Sequence, residues 1–532
     1  MMGDIKLLDC TLRDGGYLND WNFGHDNLVS IFERVVDANV EFIEIGFLDD
    51  RRKFDINRSI MPDTDCVERI YGGLDRKNTQ VVGMIDYGTC ALSNIKPCKD
   101  SFLDCIRVIF KKHLRKEALE YCSKLKGLGY KVFAQLVAVT SYDDEEMMDL
   151  IRLANDVKPY AVSMVDTYGL MHQNNLQHYF DLLNAHLSPE ICLGYHAHNN
   201  FQMGYANCIT MMSQKVERPL LVDGTIYGMG KSAGNAPIEL IAMYLNDNFG
   251  KHYQISQFLE AVDSNVMNFH AATPWGYSLF YYLAASNDCH PNYVSYLVNK
   301  RTLSVKSVNE ILGKLEGEKK LLYDKSYVER LYMNYQAIDV DDTKAVNMLT
   351  DTFHDRDILL LGPGTSVRHE KGKIDHYIKT HDPLVISINF VDDAFKIDYL
   401  FLTNSKRYVQ LATTLSQKQN DFKIIATSNL TKTNGAFEYT LKYSSLIDDE
   451  AEIIDNPLFM LLKALSRWQI PHVGLAGFDG YRNGLKENYI NPNMEYHFDE
   501  EQTAAINQHA REVLHGMENT LDIEFVTTSL YE

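Results

Sequence analysis

From its start to about residue 250, the chain alternates short apolar runs with longer amphipathic stretches. The apolar runs at 5–9, 42–47, 81–86, 106–110, 132–139, 161–166, 193–198 and 220–224 are rich in β-branched and aromatic residues and predict strands. Between them, 27–38, 115–126, 144–155 and 176–185 repeat apolar residues at helical spacing. The strand runs recur at roughly the length of one strand–helix unit, about 25–40 residues. Eight such units predict a (β/α)8 TIM barrel, although a doubly wound open sheet shows the same alternation.

The polar positions decide between the two. Asp9, Arg13 and Asp14 follow the first run, Glu44 lies in the second, and Asp86 ends the third. Asp166 and Thr167 end the sixth, His196 and His198 the seventh, and Asp223 the eighth. A closed barrel aims all its C-terminal strand ends at one point, whereas an open sheet spreads its outer strands apart. A barrel is therefore expected over residues 1–250.

Beyond it the pattern changes twice. Residues 251–350 read as a helical extension with an aromatic cluster at 275–282. From about Asp357 the alternation returns, with strands expected at 358–361, 385–389, 399–403, 423–426 and 472–476. This predicts a smaller Rossmann-like α/β domain over 351–532. Its first strand runs into Gly362-Pro363-Gly364-Thr365-Ser366, which reads either as a phosphate-binding turn or as a bare structural one. It does not fit Gly-x-Gly-x-x-Gly.

Composition narrows the function classes. A chain of 532 residues exceeds one ordinary core, and 45% hydrophobic with 23% charged residues is the balance of a soluble globular protein. A formal net charge of −20 argues against nucleic acid as a partner. No run of membrane-spanning length and no signal-peptide core are found, so no membrane association is expected. Nine cysteines without Cys-x-x-Cys spacing, none after Cys289, fit a reduced cytoplasmic protein.

In His196-Ala197-His198 the strand period of two puts both imidazoles on one side. Asp14 adds a carboxylate from another strand end. Two imidazoles and one carboxylate with open positions make a catalytic site for a divalent ion. Arg13-Asp14 alone reads equally as a surface ion pair of little worth. Its Gly-bounded loop directly after the first strand points instead to the barrel mouth.

The segments Leu12-Arg13-Asp14-Gly15, Ile43-Glu44-Ile45-Gly46-Phe47, His196-Ala197-His198 and Gly228-Met229-Gly230-Lys231-Ser232-Ala233-Gly234-Asn235 occur in the order found in the DRE-TIM metallolyases. Over about residues 4–285 the chain resembles that family, which includes HMG-CoA lyase and isopropylmalate synthase, and in type it is most like the 4-hydroxy-2-oxovalerate aldolases. The resemblance implies that Asp14, His196 and His198 bind Mn²⁺ or Mg²⁺, with Asn235 a fourth ligand as in acyl-transferring members. Arg13 would then face the enolate oxygen of a 2-oxo acid, with Glu44 holding it. Making or breaking a carbon–carbon bond beside a ketone passes through an enolate, which a cation and a fixed guanidinium both stabilise. Thr167, at a strand end, joins Arg13 as a candidate substrate-binding residue.

The chain also departs from its relatives. HMG-CoA lyases carry a catalytic cysteine in the loop before Gly-Asn, and residues 227–235 contain none. The aldolases carry a histidine base where this chain has Tyr17. Tyr17 and then His113 are the candidates for proton transfer, although a free tyrosine titrates near 10. The aldolases dock an acylating aldehyde dehydrogenase through their helical extension, so 251–350 is expected to meet a second copy or a partner enzyme. The C-terminal domain is not that dehydrogenase fused on, because it lacks the required cysteine. The expected function is metal-dependent aldol cleavage or formation of a 4-hydroxy-2-oxo acid through a pyruvate-type enolate. The alternatives are a Claisen-type acyl-CoA condensing synthase and a non-catalytic metal-bound barrel with a nucleotide- or sugar-sensing C-terminal domain.

Overall fold

A computed structural model describes residues 3–300, 303–320, 323–337, 340–417, 421–430, 436–448, 455–482, 488–496 and 498–532. The chain divides into two compact units, Met1–Pro291 and Asn292–Glu532. The break falls inside the stretch expected as a separate extension. Helices dominate its described residues and are shared out: Ile255–Ala261 belongs to the first unit, and Lys325–Gln336 and Thr343–Phe353 to the second.

The first unit is an eight-stranded parallel barrel. Its strands are β1 (Ile5–Asp9), β2 (Phe42–Leu48), β4 (Gln80–Asp86), β5 (Cys105–Phe110), β6 (Lys131–Leu136), β7 (Ala161–Asp166), β8 (Cys192–Ala197) and β9 (Leu220–Gly224). A two-residue strand, β3 (Ile60–Met61), pairs with the end of β2. Closure comes from β1, which pairs with β9 through Ile5↔Leu220 and with β2 through Leu8↔Phe42. The expected fifth run stops early, at Leu136, because Ala138 turns to φ +50° and Val139–Ser141 forms a 3-10 turn.

Strand periodicity layers the barrel interior. Leu8, Phe42, Val82, Cys105, Phe133, Ala161, Cys192 and Leu221 form a dry plug with one residue from each strand. Two residues further along, the same side carries Glu44, Arg107, Gln135, Ser163 and Asp223, all buried. One layer of the barrel is therefore apolar and the next is a charged network. The site stands on that network.

The second unit contains a seven-stranded parallel sheet: β10 (Ile358–Leu361), β11 (Leu384–Ile388), β12 (Tyr399–Leu402), β13 (Lys423–Thr427), β14 (Tyr439–Leu441), β15 (His472–Ala476) and β16 (Asp522–Phe525). Their order is β14-β13-β12-β11-β10-β15-β16, so the winding reverses between β10 and β15. Two apolar clusters cover its faces, one around Ile358, Ile386 and Phe401, the other around Leu359, Leu400 and Ile374. Among the described residues, no helix is long and apolar enough to cross a membrane.

Candidate active site

After β1 the chain coils into a short helical turn, Thr11–Asp14. Asp9 fixes the turn by accepting from the Thr11 N–H at 3.1 Å and its hydroxyl at 2.7 Å, while burial pushes the Asp9 carboxyl up to about 7. The turn carries Arg13 and Asp14 into the barrel mouth, where both are buried. A buried guanidinium needs anions around it. Arg13 donates from Nη1 to Asp14 Oδ1 at 2.6 Å and from Nε to Glu44 Oε2 at 2.8 Å.

The other oxygen of Asp14 faces the histidines. Its Oδ2 lies 3.8 Å from Nε2 of His196 and 3.8 Å from Nε2 of His198, too far for hydrogen bonds and close enough to share an ion. The Asn235 amide bonds to the same oxygen. Asn235 is brought there by an isolated bridge to His198, at the point where the Gly-rich loop folds back over the end of β8. Gly230 in that loop must lack a side chain: a Cβ there would stand 2.7 Å from the Asn235 amide nitrogen and 2.9 Å from Asp14 Oδ2.

These residues fit a divalent cation. His196 Nδ1 donates to Asp223 Oδ2 at 3.0 Å, which leaves Nε2 as a lone-pair donor on the side of Asp14. Among the described residues, neither that Nε2 nor the Asn235 carbonyl oxygen, both buried, has a hydrogen-bond partner. Burial drives His198 down to about 3, so its ring is neutral and competent as a ligand. Burial alone would raise the Asp14 carboxyl, yet Arg13 and the two imidazoles hold it well below the usual carboxylate range. A second grouping, Cys10, His196 and Asp223, is a poorer holder. Burial pushes the Cys10 thiol up, and Asp223 is already committed to Arg107.

Beneath this centre lies a residue the sequence reading passed over. Arg107, fully buried on β5, contacts Glu44 Oε2 at 3.3 Å, Gln135 Oε1 at 2.7 Å and Asp223 Oδ2. One cation thus holds the carboxylate behind Arg13 and the carboxylate behind His196. A single arginine in the apolar run Cys105–Phe110 was its visible signal.

A cavity opens above the centre. Arg13, Asp14, His196, His198, Tyr17 and Thr167 line it, and Met84, Ile109 and Val165 give it an apolar wall. The Thr167 hydroxyl accepts the Ala138 N–H at 2.8 Å and so steadies the left-handed turn after β6. Tyr17 packs edge-on against Trp21 and Phe47, and the residue is 43% exposed. Burial of its hydroxyl among protein atoms, partly countered by Arg13, pushes its pKa up to about 12. It can donate a proton and is a poor base. His113 sits on the exposed turn Lys112–Leu114 and is not part of the cavity lining.

Lys231, also unforeseen, completes the lining. Its ammonium lies 5.4 Å from the centre of the Tyr17 ring, and burial with Arg13 nearby holds its pKa below the ordinary value against the pull of Asp14. A cation at the rim fits recognition of an anionic substrate. Replacing Lys231 by Ala is expected to raise KM for a carboxylate substrate about tenfold and to change kcat little, as steady-state kinetics would show.

The HMGL-like family model matches residues 4–264. A 4-hydroxy-2-oxovalerate aldolase of Rhodococcus jostii is 23% identical over 241 residues, covering 45% of this chain and 67% of that protein. An oxaloacetate decarboxylase of Mycobacterium tuberculosis is 23% identical over 253 residues, covering 45% and 69%. Among solved structures, an HMG-CoA lyase of Bacillus subtilis aligns at a TM-score of 0.42 and 16% identity, covering 51% of this chain and 95% of that one. With its closed parallel barrel and a family match spanning the whole of it, the N-terminal part of this chain is an HMGL-like domain of the DRE-TIM type.

Proposed function

We propose that the barrel is a divalent-metal-dependent carbon–carbon lyase that cleaves a 4-hydroxy-2-oxo acid to pyruvate and an aldehyde. The observation that carries this reading is the division of labour on Asp14: one oxygen on a guanidinium, the other facing two imidazoles. When bound, Mn²⁺ or Mg²⁺ supplies Lewis-acid stabilisation of the charge that develops on the 2-oxo oxygen.

The chain's own residues supply the rest. Asp14, His196, His198 and Asn235 would hold the ion. Arg13 keeps Nη2 without a protein partner among the described residues, so it has a donor left for the enolate oxygen. Glu44, itself held by Arg107, fixes the plane of that guanidinium. The apolar wall excludes water, which strengthens each of these interactions. Tyr17 keeps its proton at neutral pH and donates a hydrogen bond to a substrate oxygen.

The proton-holding state of Tyr17 also favours a second reading, decarboxylation of a 2-oxo acid bearing a further carboxylate. Loss of CO₂ reaches the same enolate without a base to take a hydroxyl proton. The oxaloacetate decarboxylase among the relatives is in line with it.

The test is proton NMR of pyruvate in D₂O with the full chain, with Mg²⁺ or Mn²⁺ supplied and withheld. Methyl exchange that needs the metal, and that slows about a hundredfold in Arg13→Ala, is the expected result. Offering oxaloacetate and 4-hydroxy-2-oxopentanoate in parallel then separates the two lyase readings. Absence of exchange and of cleavage with every metal would overturn both.

A further inference from the structure

The second unit holds a cavity at the C-terminal ends of its strands. Gly364 follows β10, Asn389 follows β11, Asn404 follows β12, and residues 477–481 follow β15, and all of these line it. It lies where the strand order reverses, between β10 and β15. Open parallel sheets take their ligands at that crevice.

The glycine-rich turn after β10 is not the part that would take an anion, because it already holds one. Asp479 accepts from the Ser366 N–H at 2.9 Å, and the Ser366 and Thr365 hydroxyls also donate to it. A Cβ on Gly364 would stand 2.5 Å from Asp479 Oδ1, so the glycine is there to admit the carboxylate. The phosphate reading of that turn is thereby corrected.

The cation of the cavity is Arg407, at the start of the helix Ser405–Gln410 and 4% exposed. Asn404 caps this helix by accepting the Arg407 N–H at 2.8 Å. The guanidinium is held by neutral groups: Nη1 donates to Gln410 Oε1 at 2.8 Å and Nη2 to the Met494 carbonyl. The rings of Tyr496 and Tyr489 lie 4.6 and 6.0 Å from it. Among the described residues it makes no ion pair with a carboxylate. A buried, oriented guanidinium without a carboxylate leaves a counter-charge to be supplied, and two of its five N–H groups are engaged.

We propose that this cavity binds a phosphorylated ring compound, with its phosphate on Arg407 and its ring against the tyrosine faces. A nucleotide and a sugar phosphate share that chemistry. This inference is independent of the lyase reading, since no barrel residue enters it.

The test is calorimetric titration of the full chain with ADP, UDP and glucose 6-phosphate, against adenosine, uridine and glucose. At least one phosphorylated compound is expected to bind about tenfold or more tightly than its unphosphorylated counterpart. Arg407→Lys, with native circular dichroism, should lose about tenfold of that affinity. Should that variant not fold, hydrogen exchange on the unaltered chain decides: the bound compound should protect residues 404–410 and 477–481. Nucleotide binding without sugar phosphate binding, or the reverse, identifies the source. No binding at about 1 mM, equal binding of the unphosphorylated compounds, or protection confined to other segments would overturn the proposal.

Discussion

Asp14→Asn is expected to lower turnover of the proposed lyase by about a thousandfold or more and to abolish tight Mn²⁺ binding. The substitution keeps the shape of the side chain and removes its charge. Oδ1 would no longer neutralise Arg13, whose other carboxylate, Glu44, is shared with Arg107. On the opposite side, the two imidazoles and the Asn235 amide would face a neutral group in place of the one anion they converge on. Manganese titration followed by electron paramagnetic resonance reads the metal half of the prediction, and steady-state kinetics the other half. A variant that keeps both Mn²⁺ affinity and turnover would remove Asp14 from the metal centre. A variant that loses metal while the unaltered protein proves inactive in every assay would favour the non-catalytic barrel.

The barrel and its centre were readable because they obey short periodicities. The strands are buried on both faces, so each shows as a nearly continuous apolar run, and β1, β7 and β9 begin and end where the runs do. His196 and His198 meet because two residues is one strand repeat. Arg107 is different in kind. It is a lone charge in an apolar strand, and its partners Glu44 and Asp223 lie 63 and 116 residues away, so nothing local says what it pairs with. Lys231 stands in a glycine-rich loop, where no strand or helix period marks the direction of its side chain. His113 stood out only because it follows a strand. Its neighbours Lys112 and Arg115 pair with Glu146 and Asp149, making this a charged outer turn. In the second unit, β14 and β16 escaped notice because they are three- and four-residue strands at the two sheet edges, with no sustained apolar run.

Arg107→Met should destabilise the barrel by about 3–5 kcal/mol, the cost of leaving buried carboxylates without their cation. Glu44 and Asp223 are both wholly inside the barrel, and Arg107, together with the hydrogen bond from His196, holds the Asp223 pKa down against the effect of burial. The apolar plug one layer below gives the new side chain something to pack on, so lost volume is a minor part of the expected cost. Urea unfolding of the barrel, followed by its own transition, measures the loss. Mn²⁺ affinity should fall with it, because His196 takes its orientation from Asp223. A triple replacement of Arg107, Glu44 and Asp223 by apolar residues of similar size separates the two effects. It should recover much of the stability, since a buried charge network is often no better than good packing, while Mn²⁺ affinity stays low. If stability and metal affinity returned together, Arg107 would be a packing residue only. If stability returned alone, the network is retained because one cation aligns both the guanidinium that meets the substrate and an imidazole that meets the metal.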